Sequence, residues 1–206
     1  SRAWINDVPV SVKMLKQVGD ELVEIHGQFA SHHLLNPAVH LEVLDALRKM
    51  NNKKVTLLFV GGNPKGDYEE RLNEKLKGLS SETTVKIFGV SGDEIPMIYT
   101  LSTICVQPSL VPETFGRTIA EAQAMKRVIV AFAHGGACEL IQDGQTGFLT
   151  PVGDSDAIAK ALDTVLTMSM EERQKIENQA RQSVVDNYSI QKMCERTLAL
   201  YRSFWG

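Results

Sequence analysis

The sequence predicts an α/β fold: a three-layer α/β/α sandwich around a parallel sheet of about six strands. Three observations predict it. Strand-like and helix-like segments alternate from residue 21 onward. The run Val55-Thr-Leu-Leu-Phe-Val60, closed by Gly61-Gly62, is continuously apolar, as in a strand covered on both faces. The segments between strands repeat apolar residues at helical spacing, which makes them crossovers joining parallel neighbours.

The elements follow in order. Residues 1–20 carry no decisive pattern, and 12–18 reads as a helix joining this domain to a further segment. Residues 21–27 hold Leu22, Val23 and Ile25, a short strand. Asn36-Pro37 is an N-cap followed by proline at the first helical position, and Val39, Val43, Leu47 and Met50 continue at helical spacing. After the strand 55–60 comes a polar surface helix over 67–79, then a strand over 83–88 ending at Gly89. A short helix over 96–101 precedes a strand over 103–107 and a loop with two prolines, 108–114. A helix over 116–125 leads into a strand over 128–132. His134-Gly-Gly136 is a turn before a helix ending near Asp143-Gly144, and 147–149 is the last strand. Three helices follow. The first carries Ile158, Leu162 and Val165. The second opens with the capping box Ser169-Met-Glu-Glu172. The third starts near Ser189 and repeats Ile190, Cys194, Leu198, Tyr201 and Trp205.

Bulk properties exclude several classes. The 206 residues fit one domain spanning 1–206, long enough to bury a full core. A hydrophobic fraction of 43% with 23% charged residues excludes a disordered chain. The net charge of −3 lacks the basic excess of a duplex-binding protein, so no nucleic-acid partner is expected. No apolar run is long enough to cross a bilayer, and no signal-peptide pattern opens the chain. Cys105, Cys138 and Cys194 are odd in number and far apart, which reads as reduced core thiols in a cytoplasmic protein. No His or Cys cluster has metal-ligand spacing, and adjacent His32 and His33 point in different directions on any regular element.

Ligands of open α/β sheets bind beyond the carboxyl ends of the strands. Three loops there are rich in glycine or proline: Gly61-Gly-Asn-Pro-Lys-Gly66, the segment 108–116, and His134-Gly-Gly136. The middle one places Glu113 before a helix start and Glu121 inside that helix. Free N–H groups and the positive dipole end near Gly116 to Ile119 suit a diphosphate. Glu121 stands among Ile119, Ala120, Ala122 and Ala124, so it is either on a solvated stripe or buried with a partner. A carboxylate accepts from both hydroxyls of a vicinal diol, and a ribose and a hexose each offer one. Two such carboxylates around one helix start suit a nucleoside diphosphate sugar.

The segment Glu113-Thr-Phe-Gly-Arg-Thr-Ile-Ala-Glu121 resembles the Glu-x7-Glu motif of glycosyltransferase family four, retaining enzymes with two Rossmann-like halves. Val106-Gln-Pro-Ser109 precedes it, and Glu121-Ala-Gln-Ala-Met125 with Val128-Ile-Val130 follows, as in that family. His134-Gly-Gly-Ala-Cys-Glu-Leu-Ile-Gln-Asp-Gly-Gln-Thr-Gly-Phe-Leu149, Leu57-Leu-Phe-Val-Gly-Gly62 and Val85-Lys-Ile-Phe-Gly89 also fit. The wording is most similar to bacterial enzymes of surface-polysaccharide and lipopolysaccharide assembly. The resemblance implies the C-terminal, donor-binding half of a GT-B fold, with a hexose passed to a glycan or lipid-linked acceptor.

It also implies roles. Glu113 acts at the donor sugar with Thr114, Phe115 and Gly116. Thr118 and Ile119 meet the diphosphate or nucleoside, Glu121 holds the ribose, Gly89 and Val90 border the base, and Gly27 and Gln28 lie at the phosphates. The substrate is a UDP-, GDP- or ADP-sugar. Transfer proceeds by front-face attack, the leaving phosphate helping to take the acceptor proton, with no metal and no cofactor. The acceptor partner is an N-terminal half that these 206 residues do not contain. The chain is thus expected to be part of a longer protein and inactive alone. It would sit in the cytoplasm, at the inner face of the bacterial plasma membrane, touching that membrane only through the missing half. The last helix would cross to that half, leaving Tyr201, Phe204 and Trp205 poorly packed, or else it finishes this domain's core.

One departure stands out. Gln28 occupies the place of the family's phosphate-binding arginine, and no lysine follows it. Glutamine donates a hydrogen bond but supplies no charge. His32, His33, Lys53, Lys65 or Arg117 then become the candidates for covering the phosphates. Gln28 also favours the alternative of a degenerate, non-catalytic domain kept for binding or regulation. The Glu-x7-Glu spacing argues against a third reading, a sugar-nucleotide epimerase.

Overall fold

The computed structural model describes residues 2–5, 8–11, 22–26, 37–51, 54–60, 67–88 and 92–205. The chain opens with a hairpin, β1 (Arg2–Ile5) and β2 (Val8–Ser11), paired antiparallel with Ile5 opposite Val8. The sequence reading did not find this hairpin, because each strand is only four residues long. The joining helix expected over 12–18 lies outside the described residues.

The main sheet has six strands, all parallel: β3 (Leu22–His26), β4 (Thr56–Val60), β5 (Thr84–Phe88), β6 (Ile104–Gln107), β7 (Val128–Phe132) and β8 (Phe148–Thr150). Their order is β5-β4-β3-β6-β7-β8. The chain therefore winds outward to β5 and returns to start β6 beside β3. That reversal is the topological switch point of a doubly wound sheet, where ligands gather at the carboxyl ends of the strands. The loop leaving Gln107 starts there.

Period-two alternation builds the outer layers. On β4, Leu57 and Phe59 face one core while Leu58 and Val60 face the other. The first core receives Val43, Leu44 and Leu47 from α1 (Pro37–Lys49), Leu72 from α2 (Asp67–Lys77), and Ile158, Leu162 and Val165 from α6 (Ser155–Thr167). The second receives Ile95, Ile98 and Tyr99 from α3 (Ile95–Leu101), Ile119 and Ala122 from α4 (Arg117–Ala124), and Leu140 from α5 (Ala137–Leu140). The long helix α7 (Met170–Tyr188) gives Ile176 to the first core and Tyr188 to the second, so it passes from one layer to the other. Its start is the predicted capping box, with Ser169 Oγ accepting from Glu172 N–H and the Glu172 carboxylate accepting from Ser169 N–H.

Two expectations need correction. Helix α5 stops at Leu140 instead of running to Asp143. The buried Gln123 amide donates to Leu140 O and Thr146 O, both at 3.1 Å, and Thr146 Oγ1 accepts from Gln142 N–H, so side chains draw the chain into a turn. Cys105 is a core thiol, but Cys138 and Cys194 are exposed: the first is the second residue of α5 and the second lies on α8 (Ile190–Trp205). Of the two expectations for that last helix, poor packing is the one observed. Ile190, Met193, Leu198, Leu200, Tyr201 and Phe204 are all exposed. Among the described residues, no helix is long and apolar enough to cross a membrane.

Beneath the amino ends of β6 and β7, Glu177 is largely buried, its side chain 14% exposed with Arg173 Nε 3.9 Å away. Burial holds its carboxyl above the ordinary 4.5, more than Arg127, Arg173 and Lys126 lower it. The folded protein thus binds more protons than the unfolded one between 4.5 and that higher value, and stability declines as pH rises through the window. Glu177→Gln keeps the shape and removes the charge. Thermal melts are expected to show it more stable than the parent at neutral pH, with the gain fading below pH 4.5.

Candidate functional site

Gln107 ends β6 as the one polar residue of Ile-Cys-Val-Gln, and it is buried. A buried amide needs partners. Its Nε2 donates to Glu113 Oε1 at 2.5 Å, so the strand end holds the first carboxylate in place. The loop between them is braced from within, Ser109 Oγ donating to Val111 O at 2.9 Å.

A second loop, 134–136, closes against the first. His134 Nε2 donates to Ser109 O at 2.7 Å, and Gly136 N–H donates to Glu113 O at 2.7 Å. The glycines are steric necessities. A Cβ on Gly135, at φ +53°, would stand 2.5 Å from Glu113 O, and one on Gly136 would stand 2.3 Å from Phe115 O.

Helix α4 starts where these loops meet. Its N-cap is Gly116, left-handed at φ 83° and ψ 56°, with no side chain to cap the first turn. Ile119 and Ala120 N–H both donate to Gly116 O. The N–H groups of Arg117 and Thr118 find no acceptor among the described residues. Thr118 and Ile119 were both expected at the nucleotide, but they differ. Both side chains are buried, and only Thr118 keeps a free N–H, because that of Ile119 is spent inside the helix.

Glu121 is neither fully solvated nor buried: its side chain is 34% exposed and has two donors. Tyr99 Oη, from the core of α3, donates to Oε2 at 3.1 Å, and Arg117 Nε donates to Oε1 at 2.6 Å. A carboxylate offers about four lone-pair sites. One per oxygen is taken, which leaves one per oxygen, the pattern a vicinal diol addresses. Arg117, 80% exposed, is thereby tied to Glu121 rather than standing apart as a phosphate-binding cation.

The structure thus brings Glu113, Thr114, Phe115, Gly116, Thr118 and Glu121 to one loop and helix start. Gly27, Gln28, Gly89 and Val90 lie outside the described residues, as do His32, His33, Lys53 and Lys65. Sequence reasoning missed Tyr99 and Gln107, the residues that fix the two carboxylates. Gln107 carried a signal, a polar residue closing an apolar strand at its carboxyl end. Tyr99 carried none, since it sits among core positions of a short helix.

Residues 19–183 match the family described as Glycosyl transferases group 1. The chain belongs to that family, and its fold is the Rossmann-like α/β sandwich of GT-B glycosyltransferases. It is 33% identical over 172 residues to trehalose synthase of Thermococcus litoralis, covering 79% of this chain and 40% of that enzyme. A solved Anabaena protein, HepE in complex with UDP-glucose, superimposes with a TM-score of 0.77 at 27% identity, over 93% of this chain and 51% of that one. The C-terminal domain of a Francisella tularensis glycosyl transferase group 1 protein, LpcC, matches at 26% identity and TM-score 0.72, over 86% of this chain and 91% of that domain. The chain thus spans about 40% of the length of the curated relatives it matches.

The clasp between the two loops makes a direct prediction. Gly136→Ala pushes a methyl group into Phe115 O, and this overpacking costs about 1–3 kcal/mol. Chemical denaturation is expected to show that loss, whereas Gly144→Ala, where nothing lies within 4 Å of the added carbon, carries only the penalty of its positive φ.

Proposed function

We propose that this chain is the donor-binding part of a retaining glycosyltransferase that takes a nucleoside diphosphate hexose. The observation that carries the reading is the start of α4. Two anchored carboxylates stand on either side of a helix N-terminus that has a glycine cap and N–H groups with no acceptor among the described residues. Such an end attracts a diphosphate. Glu121 then accepts from the ribose diol, and Glu113 takes the sugar hydroxyls with the backbone of Thr114, Phe115 and Gly116 beside it. The complex of the related HepE with UDP-glucose supports a nucleotide sugar as the ligand class.

In this reading Glu113 acts at the reacting sugar. The acceptor hydroxyl attacks the anomeric carbon on the face the diphosphate leaves. A departing phosphate oxygen takes the acceptor's proton, and configuration is retained without a metal or cofactor. The acceptor is a glycan or lipid-linked sugar held by the remainder of a longer protein. Gln28 favours a second reading, a binding domain without turnover, because a neutral amide stabilises the leaving diphosphate less than a cation does.

Calorimetric titration with UDP, GDP and ADP and with their glucose conjugates tests the binding. One diphosphate is expected to bind in the micromolar to millimolar range. Glu121→Ala removes a charge-assisted diol contact and weakens it about tenfold or more. Binding of none of the three by a folded protein rejects the donor reading. Retained binding, together with no sugar transfer by the intact protein, selects the non-catalytic one.

A further inference from the structure

The joint between α7 and α8 reaches the same loop from outside the matched family span, which stops at residue 183. Tyr188, the last residue of α7, sets its ring edge-on against Phe115, with centroids 5.7 Å apart and planes at 65°. That is the favoured geometry of an aromatic pair. Its hydroxyl donates to Glu139 O at 3.2 Å. One side chain therefore touches both sides of the clasp: the 113–116 loop through its ring, and the segment led by Gly136 through its hydroxyl. Phe115 stays 46% exposed, so the contact is a brace on a surface loop rather than core filling.

We propose that Tyr188 is a positioning residue for the donor sugar. This rests on the donor-binding reading above. Tyr188 holds Phe115 and, through the Gly136 N–H, the backbone of Glu113 in the place where the sugar hydroxyls are met. Glu121 and the Thr118 N–H are held separately, by Tyr99 and by α4 itself. Loosening Tyr188 thus acts on the sugar and spares the nucleotide.

The test compares the intact protein with Tyr188→Ala and Tyr188→Phe, by titration with each diphosphate and its glucose conjugate and by hydrogen exchange at the Gly136 amide. Tyr188→Ala is expected to cut the affinity gained from the sugar about three- to tenfold, the worth of one aromatic pair. Affinity for the bare diphosphate stays unchanged, and the Gly136 amide exchanges faster. Tyr188→Phe keeps the ring and retains most of the wild-type behaviour. Equal losses for diphosphate and sugar nucleotide mean a merely structural role and overturn the proposal. So does unchanged Gly136 exchange in a folded Tyr188→Ala protein, whichever sugar is used. Either result leaves the donor reading standing. A wild-type protein that binds none of the diphosphates removes that reading and this proposal together.

Discussion

Gly136 N–H meets Glu113 O at 2.7 Å across a gap with no room for a side chain, and the arrangement of the site descends from that contact. It draws the carboxyl end of β7 onto the carboxyl end of β6. The 113–116 segment is left no path except over the pair of glycines. Phe115 is then turned outward, and Gly116 must reverse the chain in the left-handed region before α4 begins. A bulkier residue at 135 or 136 would lift the loop, and Glu113 would lose its register with Gln107. The sheet supplies the other half of the constraint. Its order reverses between β3 and β6, so this crowded loop rises beside the crevice that this reversal opens.

Helix α4 behaves as a fixed platform because side chains from three directions hold it. The Gln123 amide, buried, ties it to the end of α5 and to the turn after it. Tyr99 reaches from α3, in the same core, to both Glu121 and Thr118 O. Arg181 of α7 donates to Ala124 O at the far end. Free carbonyls at a helix C-terminus favour such a cation. Pre-organisation of this kind matters for a ligand that gains little from any single contact, since the ordering cost is met on folding rather than on binding.

Much of this was legible in the sequence. The apolar run 55–60 and the alternation of strand and helix patterns point to a parallel sheet, and the spacing of Glu113 and Glu121 about Gly116 points to the candidate site. What escaped has a common physical character. Tyr99 and Gln107 serve as partners of residues far along the chain or on another element, and periodicity records burial, not partnership. The shortened α5 is set by Gln123, a contact between elements that local propensity does not contain. The number and spacing of the cysteines suggest buried thiols, yet Cys138 and Cys194 are exposed, because neither pairing nor spacing states which face of a helix is covered. The amphipathic pattern of α8 was legible as well, but a pattern states which face is apolar and not whether anything covers it.

The two ends of α4 differ in a way that bears on function. Most helices of folded proteins begin on Ser, Thr, Asp or Asn, whose side chain takes up an orphan N–H; here α6 and α7 do so through Asp154 and Ser169. Helix α4 begins on Gly116 instead, although glycine costs only a few tenths of a kcal/mol relative to those caps. The left-handed turn at φ 83° calls for that glycine, and the missing cap has a further consequence in what it leaves open. It leaves the Arg117 and Thr118 N–H groups without an acceptor among the described residues, at the positive end of a dipole. At the other end the protein supplies its own partner, Arg181. A helix completed by the fold at its C-terminus and lacking a side-chain cap at its N-terminus, between two braced carboxylates, would suit the proposed ligand, an anion that carries hydroxyl groups on both sides. A nucleoside diphosphate sugar has that shape, with one diol on either side of its phosphates.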